Sequence, residues 1–145
     1  MSKIELRHAE STAQIAACFP VMRELRPRLR SAEELVERVS RQQTDAGYRL
    51  LAAWSGDTAI ALAGYRVQET LIRGRFIYVD DLVSLATERG RGLGRQLLDA
   101  VTEEGRAQGC TALVLDTGLD NVLAHRFYYR YGMLAGALRF AKPMA

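Results

Sequence analysis

Several features are scarce in this chain, and each scarcity excludes a class of protein. Its 145 residues include only two cysteines, Cys18 and Cys110, which are too few for a disulfide-stabilised secreted scaffold and lack metal-ligand spacing. No apolar run approaches the roughly 18 residues of a membrane-spanning helix. The N-terminal segment carries charges but lacks the apolar stretch of a signal peptide. The sequence therefore predicts a cytoplasmic protein without a metal site or a membrane partner.

An excess of charge of one sign is also missing. Twenty Lys and Arg residues stand against seventeen Asp and Glu residues, which leaves a formal net charge of +3 and no basic tail. This balance predicts no nucleic-acid partner and favours a local anionic ligand for any cationic loop. The length suits one domain with a substantial core. We therefore predict that residues 1–145 form a single domain.

The hydrophobic pattern predicts a meander of strands followed by a strand–helix–strand unit. The spacing of Ser31 and Glu34 predicts a capping box, and Ser11 or Thr12 can cap an earlier helix that ends near Pro27. Such an order gives a mixed sheet and an α/β or α+β class. The predicted strands are 3–9, 48–55, 59–69, 74–86, 111–117 and 134–143, and the predicted helices are 12–25, 32–43, 93–108 and 121–132.

A glycine-rich, arginine-rich loop opens the third of these helices. Residues 86–101 read ATERGRGLGRQLLDAV. A helix start leaves backbone N–H groups unpaired, and glycines let an anion approach them closely. The spacing matches neither the P-loop nor the dinucleotide-binding fingerprint. The alternative is a tight strand-to-helix connection whose arginines are simply solvated.

The loop sequence ERGRGLGRQLL resembles the acyl-CoA loop of the GNAT superfamily of N-acyltransferases, with Arg89, Gly92 and Gly94 at the family's signature positions. A second segment is similar to one in that family, with Asn121, Tyr128 and Gly132 in the expected order. The resemblance implies a central mixed, mostly antiparallel sheet of about six or seven strands, flanked by about four helices. One splayed pair of strands would bind the acyl-CoA.

The resemblance also implies an activity and a set of binding residues. The chain would be an N-acetyltransferase that moves an acetyl group from acetyl-CoA to a primary amine, by direct attack in a ternary complex. Backbone groups at the end of the preceding strand would orient the pantetheine arm, and the loop would hold the pyrophosphate. The residues implied in binding the cosubstrate are Leu82, Val83, Ser84, Arg89, Gly90, Arg91, Gly92, Leu93, Gly94, Arg95 and Asn121.

Tyr128 is the candidate general acid, because the resemblance places its hydroxyl beside the thioester sulfur. The alternative is an apolar helix face, since Ala124, Phe127, Tyr128 and Tyr131 share one helical stripe. His125 and Cys110 are interpreted as structural residues.

Carboxylates supply the candidates for the base. Asp81 is the first candidate, because it precedes the residues that would pair with the cosubstrate; Asp116 is the second and Glu69 the third. Asp80 is the neighbour of Asp81 in the chain, and strand alternation would let only one of these two residues face the cleft. The alternative is that these carboxylates pair with arginines, such as Arg66, Arg75 or Arg139.

The acceptor is predicted to be a small-molecule amine, although a protein N-terminus or lysine is an alternative. A non-catalytic acyl-CoA sensor and a polyanion-binding module are the other classes considered. The oligomeric state, with a homodimer as one option, stays open at this point.

Overall fold

The computed structural model describes residues 3–145, which divide into two compact units. The first unit ends at Val114 and the second extends from Leu115 to Ala145. The elements before the boundary are β1 (Ile4–His8), α1 (Thr12–Ala17), α2 (Phe19–Leu25), α3 (Ala32–Ala46), β2 (Arg49–Ser55), β3 (Thr58–Thr70), β4 (Gly74–Ser84), a 3-10 turn (Ala86–Glu88) and α4 (Leu93–Ala107). The short strand β5 (Leu113–Leu115) lies at the boundary, and α5 (Val122–Arg130) belongs to the second unit.

The strands form one sheet in the order β1-β2-β3-β4-β5. The first four strands are antiparallel neighbours, as expected for a meander joined by short turns. Strand β5 joins β4 after the α4 crossover, and the Ile77 N–H donates to the Ala112 carbonyl where the two strands meet. The predicted mixed sheet and fold class are confirmed, with five strands where the resemblance implied six or seven.

The two faces of the sheet in the first unit carry different helices. Alternate residues of β2, such as Leu50, Ala52 and Trp54, belong to the buried cluster that includes residues of α1, α2 and α3. Helix α4 packs on β2, β3 and β4 through a separate apolar stripe. The members of that stripe are at most 4% exposed, and they are Leu93, Leu97, Leu98 and Val101. The position of α4 is fixed by this face, which the sequence pattern predicted.

The predicted first helix is divided into two. Helix α1 ends at Ala17, Cys18 takes the cap position, and α2 begins at Phe19 with Pro20 in its first turn. Because proline has no N–H and crowds the preceding turn, it begins a new helix more readily than it continues one. Ser11 caps α1 through a capping box with Gln14, whereas Ser31 caps α3 by accepting from the Glu34 N–H. The prediction of a single helix over 12–25 was therefore wrong.

The second unit contains α5 and an irregular C-terminal segment. No strand forms over 134–143, although one was predicted there. Leu134, Leu138 and Phe140 are 87%, 66% and 89% exposed, so the apolar alternation in this segment has no buried face to stabilise a strand. Within residues 3–145, no helix has the length and apolar character needed to span a membrane.

Candidate active site

The glycine loop, residues 89–95, leads from the 3-10 turn into α4. Gly90 and Gly92 have φ angles of +85° and +75°, a left-handed backbone that glycine adopts without steric cost. Gly92 is the N-cap of α4, and no side chain among the described residues caps that helix start. A Cβ added at either glycine would meet nothing within 4 Å. The glycine positions are therefore open, and the uncapped N–H groups that follow lie at the positive end of a helix dipole, where an anion can bind.

The arginines of the glycine loop have neighbouring partners. Arg91 forms an ion pair with Glu88, and Arg89 lies 3.9 Å from Glu24 of α2. Arg95 likewise has an interaction partner. The side chains of Arg89 and Arg91 are 65% and 49% exposed. Ion pairs this exposed contribute little to stability, so the arginines can exchange them for the charge of a ligand.

The last three residues of β4, Leu82–Ser84, lie just before this loop. They pair with residues 61–63 of β3 and are partly buried. Their location at a strand end agrees with the sequence analysis, whereas their contact with a cosubstrate stays a prediction.

Asp81 lies one residue before this strand end and accepts hydrogen bonds from two side chains. The Tyr48 hydroxyl donates to Oδ2 over 2.8 Å, and Arg26 Nε donates to Oδ1 over 2.9 Å. Tyr48 is only 3% exposed, and burial, together with the nearby Asp81 carboxylate, raises the pKa of its phenol well above the usual value. The phenol therefore stays protonated and acts as a fixed donor to Asp81.

Asp80 joins the same group of side chains through Arg66. Arg66 donates to both carboxylate oxygens over 2.9 Å, contacts Gln42, and lies with Cζ 5.4 Å from the centroid of the Tyr48 ring. Arg26 also donates to the Asp80 carbonyl over 2.8 Å. Burial raises the pKa of Asp80, although Arg66 acts in the opposite direction. We call these side chains the carboxylate network, which consists of Arg26, Gln42, Tyr48, Arg66, Asp80 and Asp81.

Asp80 and Asp81 do not follow the regular strand alternation that predicted opposite faces for them, so this prediction was wrong. Gly64 pairs with Asp81, but the next residue of β3, Tyr65, pairs with Val79. Asp80 is therefore the extra residue of a β-bulge, which interrupts the alternation of a regular strand and re-aims a side chain. The alternative that these carboxylates pair with arginines is confirmed for both residues, because Asp80 pairs with Arg66 and Asp81 pairs with Arg26.

Gly64 makes room for the bond between Tyr48 and Asp81. A Cβ at this position would lie 1.8 Å from the Tyr48 hydroxyl oxygen and 2.8 Å from Asp81 Oδ2. Neither distance is compatible with van der Waals contact, so any larger residue must displace the phenol. A glycine inside a strand pattern signals such a close approach, and this was the signal in the sequence that could have led to Tyr48. No comparable signal marked Arg26.

We predict that Gly64→Ala lowers the free energy of unfolding by about 1–3 kcal/mol, as overpacking does in well-packed interiors. Chemical denaturation of the purified variant measures this loss. Gly136→Ala is the control, because a Cβ there meets nothing within 4 Å and its φ lies outside the left-handed region. A loss at Gly64 no larger than that of the control would contradict the tight packing around Tyr48.

A cavity of about 590 Å³ opens beside the carboxylate network, within the range of small-molecule sites. Asp81 and Tyr48 form part of its wall, together with residues from the end of α2 and from α3. Glu69 lies elsewhere. It is exposed, and it stands opposite Arg75 in the β3–β4 register, next to the turn that joins the two strands. The first candidate carboxylate therefore borders a cavity, and the third does not.

The remaining candidates belong to the second unit. Tyr128 lies on α5, half-buried, with its ring 5.4 Å from that of Phe127, and burial raises the pKa of its phenol. Asp116 forms an ion pair with Arg139 at 2.5 Å, which confirms the arginine-pairing alternative for this carboxylate. Asn121 caps α5 by accepting from the Ala124 N–H.

His125 and Cys110 are the two residues that the sequence analysis interpreted as structural. His125 Nε2 lies 2.8 Å from the Gly118 carbonyl, which accepts its hydrogen bond and supports a structural role for the ring. Cys110 is a free, partly buried cysteine. No group of three or more metal-ligating side chains that could hold an ion occurs in the described part of the chain.

Comparison with known proteins identifies the family of this chain. The sequence model of the Acetyltransferase (GNAT) family matches residues 14–133. The uncharacterized N-acetyltransferase YhdJ of Bacillus subtilis (strain 168) is 30% identical over 142 residues, which cover 97% of this chain and 99% of that protein. An aminoalkylphosphonate N-acetyltransferase of Salmonella typhimurium (strain LT2) is 38% identical over 66 residues, 46% of this chain and 43% of that protein.

The likeness extends to solved structures. The aminoglycoside N-acetyltransferase AAC(6')-Iy, in complex with CoA, superimposes with a TM-score of 0.84 at 19% identity. The alignment covers 100% of this chain and 97% of that one. At 19% identity this likeness shows the fold alone. That fold agrees with the family model, which matches residues of both compact units. The chain therefore belongs to the GNAT acetyltransferase family and is an acyltransferase.

Proposed function

We propose that this acyltransferase moves an acetyl group from acetyl-CoA to the primary amine of a small molecule, by direct attack in a ternary complex. The observation that carries the proposal is the position of Asp81, held by Tyr48 and Arg26 at the wall of a cavity and one residue before the strand end that leads to the glycine loop. The proposal treats residues 1–145 as one domain, and the family match over 14–133 supports this.

The glycine loop fits the pyrophosphate of the cosubstrate. Gly90 and Gly92 are exposed, left-handed residues at which even a Cβ would meet nothing within 4 Å, and the N-terminus of α4 adds a favourable dipole. Backbone groups of Leu82–Ser84 would orient the pantetheine arm, and Asn121 is also proposed to bind the cosubstrate. The acyl-CoA supplies the acyl carbon and the thiolate leaving group.

Asp81 is proposed to bind the ammonium of the acceptor. Its carboxylate accepts hydrogen bonds from two side chains. Because the two oxygens have about four lone-pair positions in total, the carboxylate can accept a further donor. One proton leaves the ammonium through a water hydrogen-bonded to Asp81, and the amine nitrogen forms the new C–N bond. The C–S bond breaks, and a proton from the Tyr128 hydroxyl goes to the thiolate. Tyr128 regains a proton as the nitrogen loses its second one, so one proton is released overall.

A covalent route through a cysteine has little support. Cys18 is fully buried, and burial raises the pKa of its thiol to about 12, so the reactive thiolate is scarce at neutral pH. Both Cys18 and Cys110 are free cysteines, as expected in the reducing cytoplasm that we propose as its location. Asp116 is the alternative base if Asp81 serves only to bind.

The test is thiol release from acetyl-CoA over a panel of small primary amines, peptides with a free N-terminus or lysine, and buffer alone. We expect turnover with at least one small amine at a rate well above those of the peptides. A peptide as the best acceptor would contradict the small-molecule assignment. Acetyl-CoA binding without turnover on any amine would instead identify an acyl-CoA sensor.

A further inference from the structure

The cavity beside Asp81 has a strongly cationic lining. Four arginines contribute to its wall, and Asp81 is the only acidic residue among its lining residues. The arginines come from the end of α2, the following turn and α3, and they are Arg26, Arg28, Arg38 and Arg41. Clustered cations in a concave surface raise the local concentration of anions.

Two of these arginines have no ion-pair partner among residues 3–145. Arg26 binds Asp81, and Arg41 pairs with Glu37 at 2.9 Å. Arg28 and Arg38, by contrast, form no ion pair or hydrogen bond within that range. Their guanidinium groups are therefore available to a ligand, and guanidinium geometry suits the paired oxygens of a carboxylate, phosphonate or phosphate.

The floor of the same cavity is apolar. Met22, Leu29, Leu35 and Val39 are each at most 9% exposed and line it. Such a floor accommodates a short hydrocarbon spacer between two polar ends of a ligand. The cavity thus combines one carboxylate, an apolar floor and two unpaired guanidinium groups.

We propose that the acceptor is a small amine that also carries an anionic group. Its ammonium binds Asp81, its spacer lies on the apolar floor, and its anionic group binds Arg28 and Arg38. This inference rests on the proposed function, because it assigns the acceptor of the same site. Carboxylate, phosphonate and phosphate share the required chemistry, and the experiment separates them.

The test compares amines of similar length that differ at the far end: 2-aminoethylphosphonate, O-phosphoethanolamine, β-alanine, propylamine and ethylenediamine. The best anionic amine should have a kcat/KM at least about tenfold above that of propylamine, as expected for charge-assisted hydrogen bonds. In Arg28→Gln and Arg38→Gln the ratio of the two kcat/KM values should fall about tenfold. Arg30→Gln is the control, since Arg30 lies outside the cavity lining and pairs with Glu34.

Calorimetry of the same amines provides a readout that does not need turnover. Binding of an anionic amine that weakens in Arg38→Gln would support this inference even if no acetyl transfer occurs, and it would leave the proposed function as the part that failed. Propylamine or ethylenediamine as the best acceptor would overturn the inference while leaving the proposed function intact. An equal effect of Arg30→Gln and Arg38→Gln would overturn it as well.

Discussion

Replacement of Tyr128 by phenylalanine should lower the single-turnover rate of acetyl transfer by roughly 100-fold, within the usual range for a general acid. Burial raises the pKa of the Tyr128 phenol, so at neutral pH the hydroxyl keeps the proton that the leaving thiolate needs. Phenylalanine retains the ring and its contact with Phe127. The affinity for acetyl-CoA, measured by calorimetry, and the melting temperature should therefore change little.

Tyr129→Phe is the matched control for this experiment. Tyr129 is the next residue of α5, and it is 56% exposed, so loss of its hydroxyl should leave the rate nearly intact. Single-turnover measurement is needed because slow product release would hide part of the effect in steady state. A rate of Tyr128→Phe within twofold of the wild type would leave Tyr128 as a packing residue of α5.

Gly92→Val should weaken the binding of acetyl-CoA at least about tenfold, or about 1.4 kcal/mol. Gly92 has a φ of +75°, a conformation that a β-branched residue adopts only with strain. The new side chain would also project into the open space in front of the α4 N-terminus, where a pyrophosphate has to approach. Isothermal titration calorimetry on the folded variant measures the change.

Gly56→Val provides the control for backbone strain. Gly56 has a φ of +61° in the turn between β2 and β3, and a Cβ there also meets nothing within 4 Å. The two substitutions therefore impose a similar strain, but only one alters the glycine loop. Equal affinities of Gly92→Val and the wild type would remove the loop from the binding site.

Local patterns in the sequence predicted the parts of the fold that depend on neighbours along the chain. The stripe from Leu93 to Val101 fixed the register of α4 on the sheet, because helical spacing alone decides which side chains share a face. The caps at Ser11 and Ser31 were predicted for the same reason, since each acts on a backbone N–H three residues further on.

Features that depend on distant pairing could not be predicted in this way. The bulge at Asp80 arises from the β3–β4 register, and no local pattern specifies where a ladder slips. Tyr48 and Arg26 reach Asp81 from positions 33 and 55 residues away in the chain. The sequence therefore singled out Asp81 as a candidate, whereas only the structure identified the side chains that hold it.

The central claim is that this chain forms an amide from acetyl-CoA and a small amine. The most direct measurement is a mass-spectrometric count of the N-acetyl product, alongside the free thiol released in the same reaction with the fastest amine of the panel. The account predicts equal amounts of both, and neither above background when the amine is omitted. Thiol release without an N-acetyl product would contradict it, as would the absence of product with every amine tested.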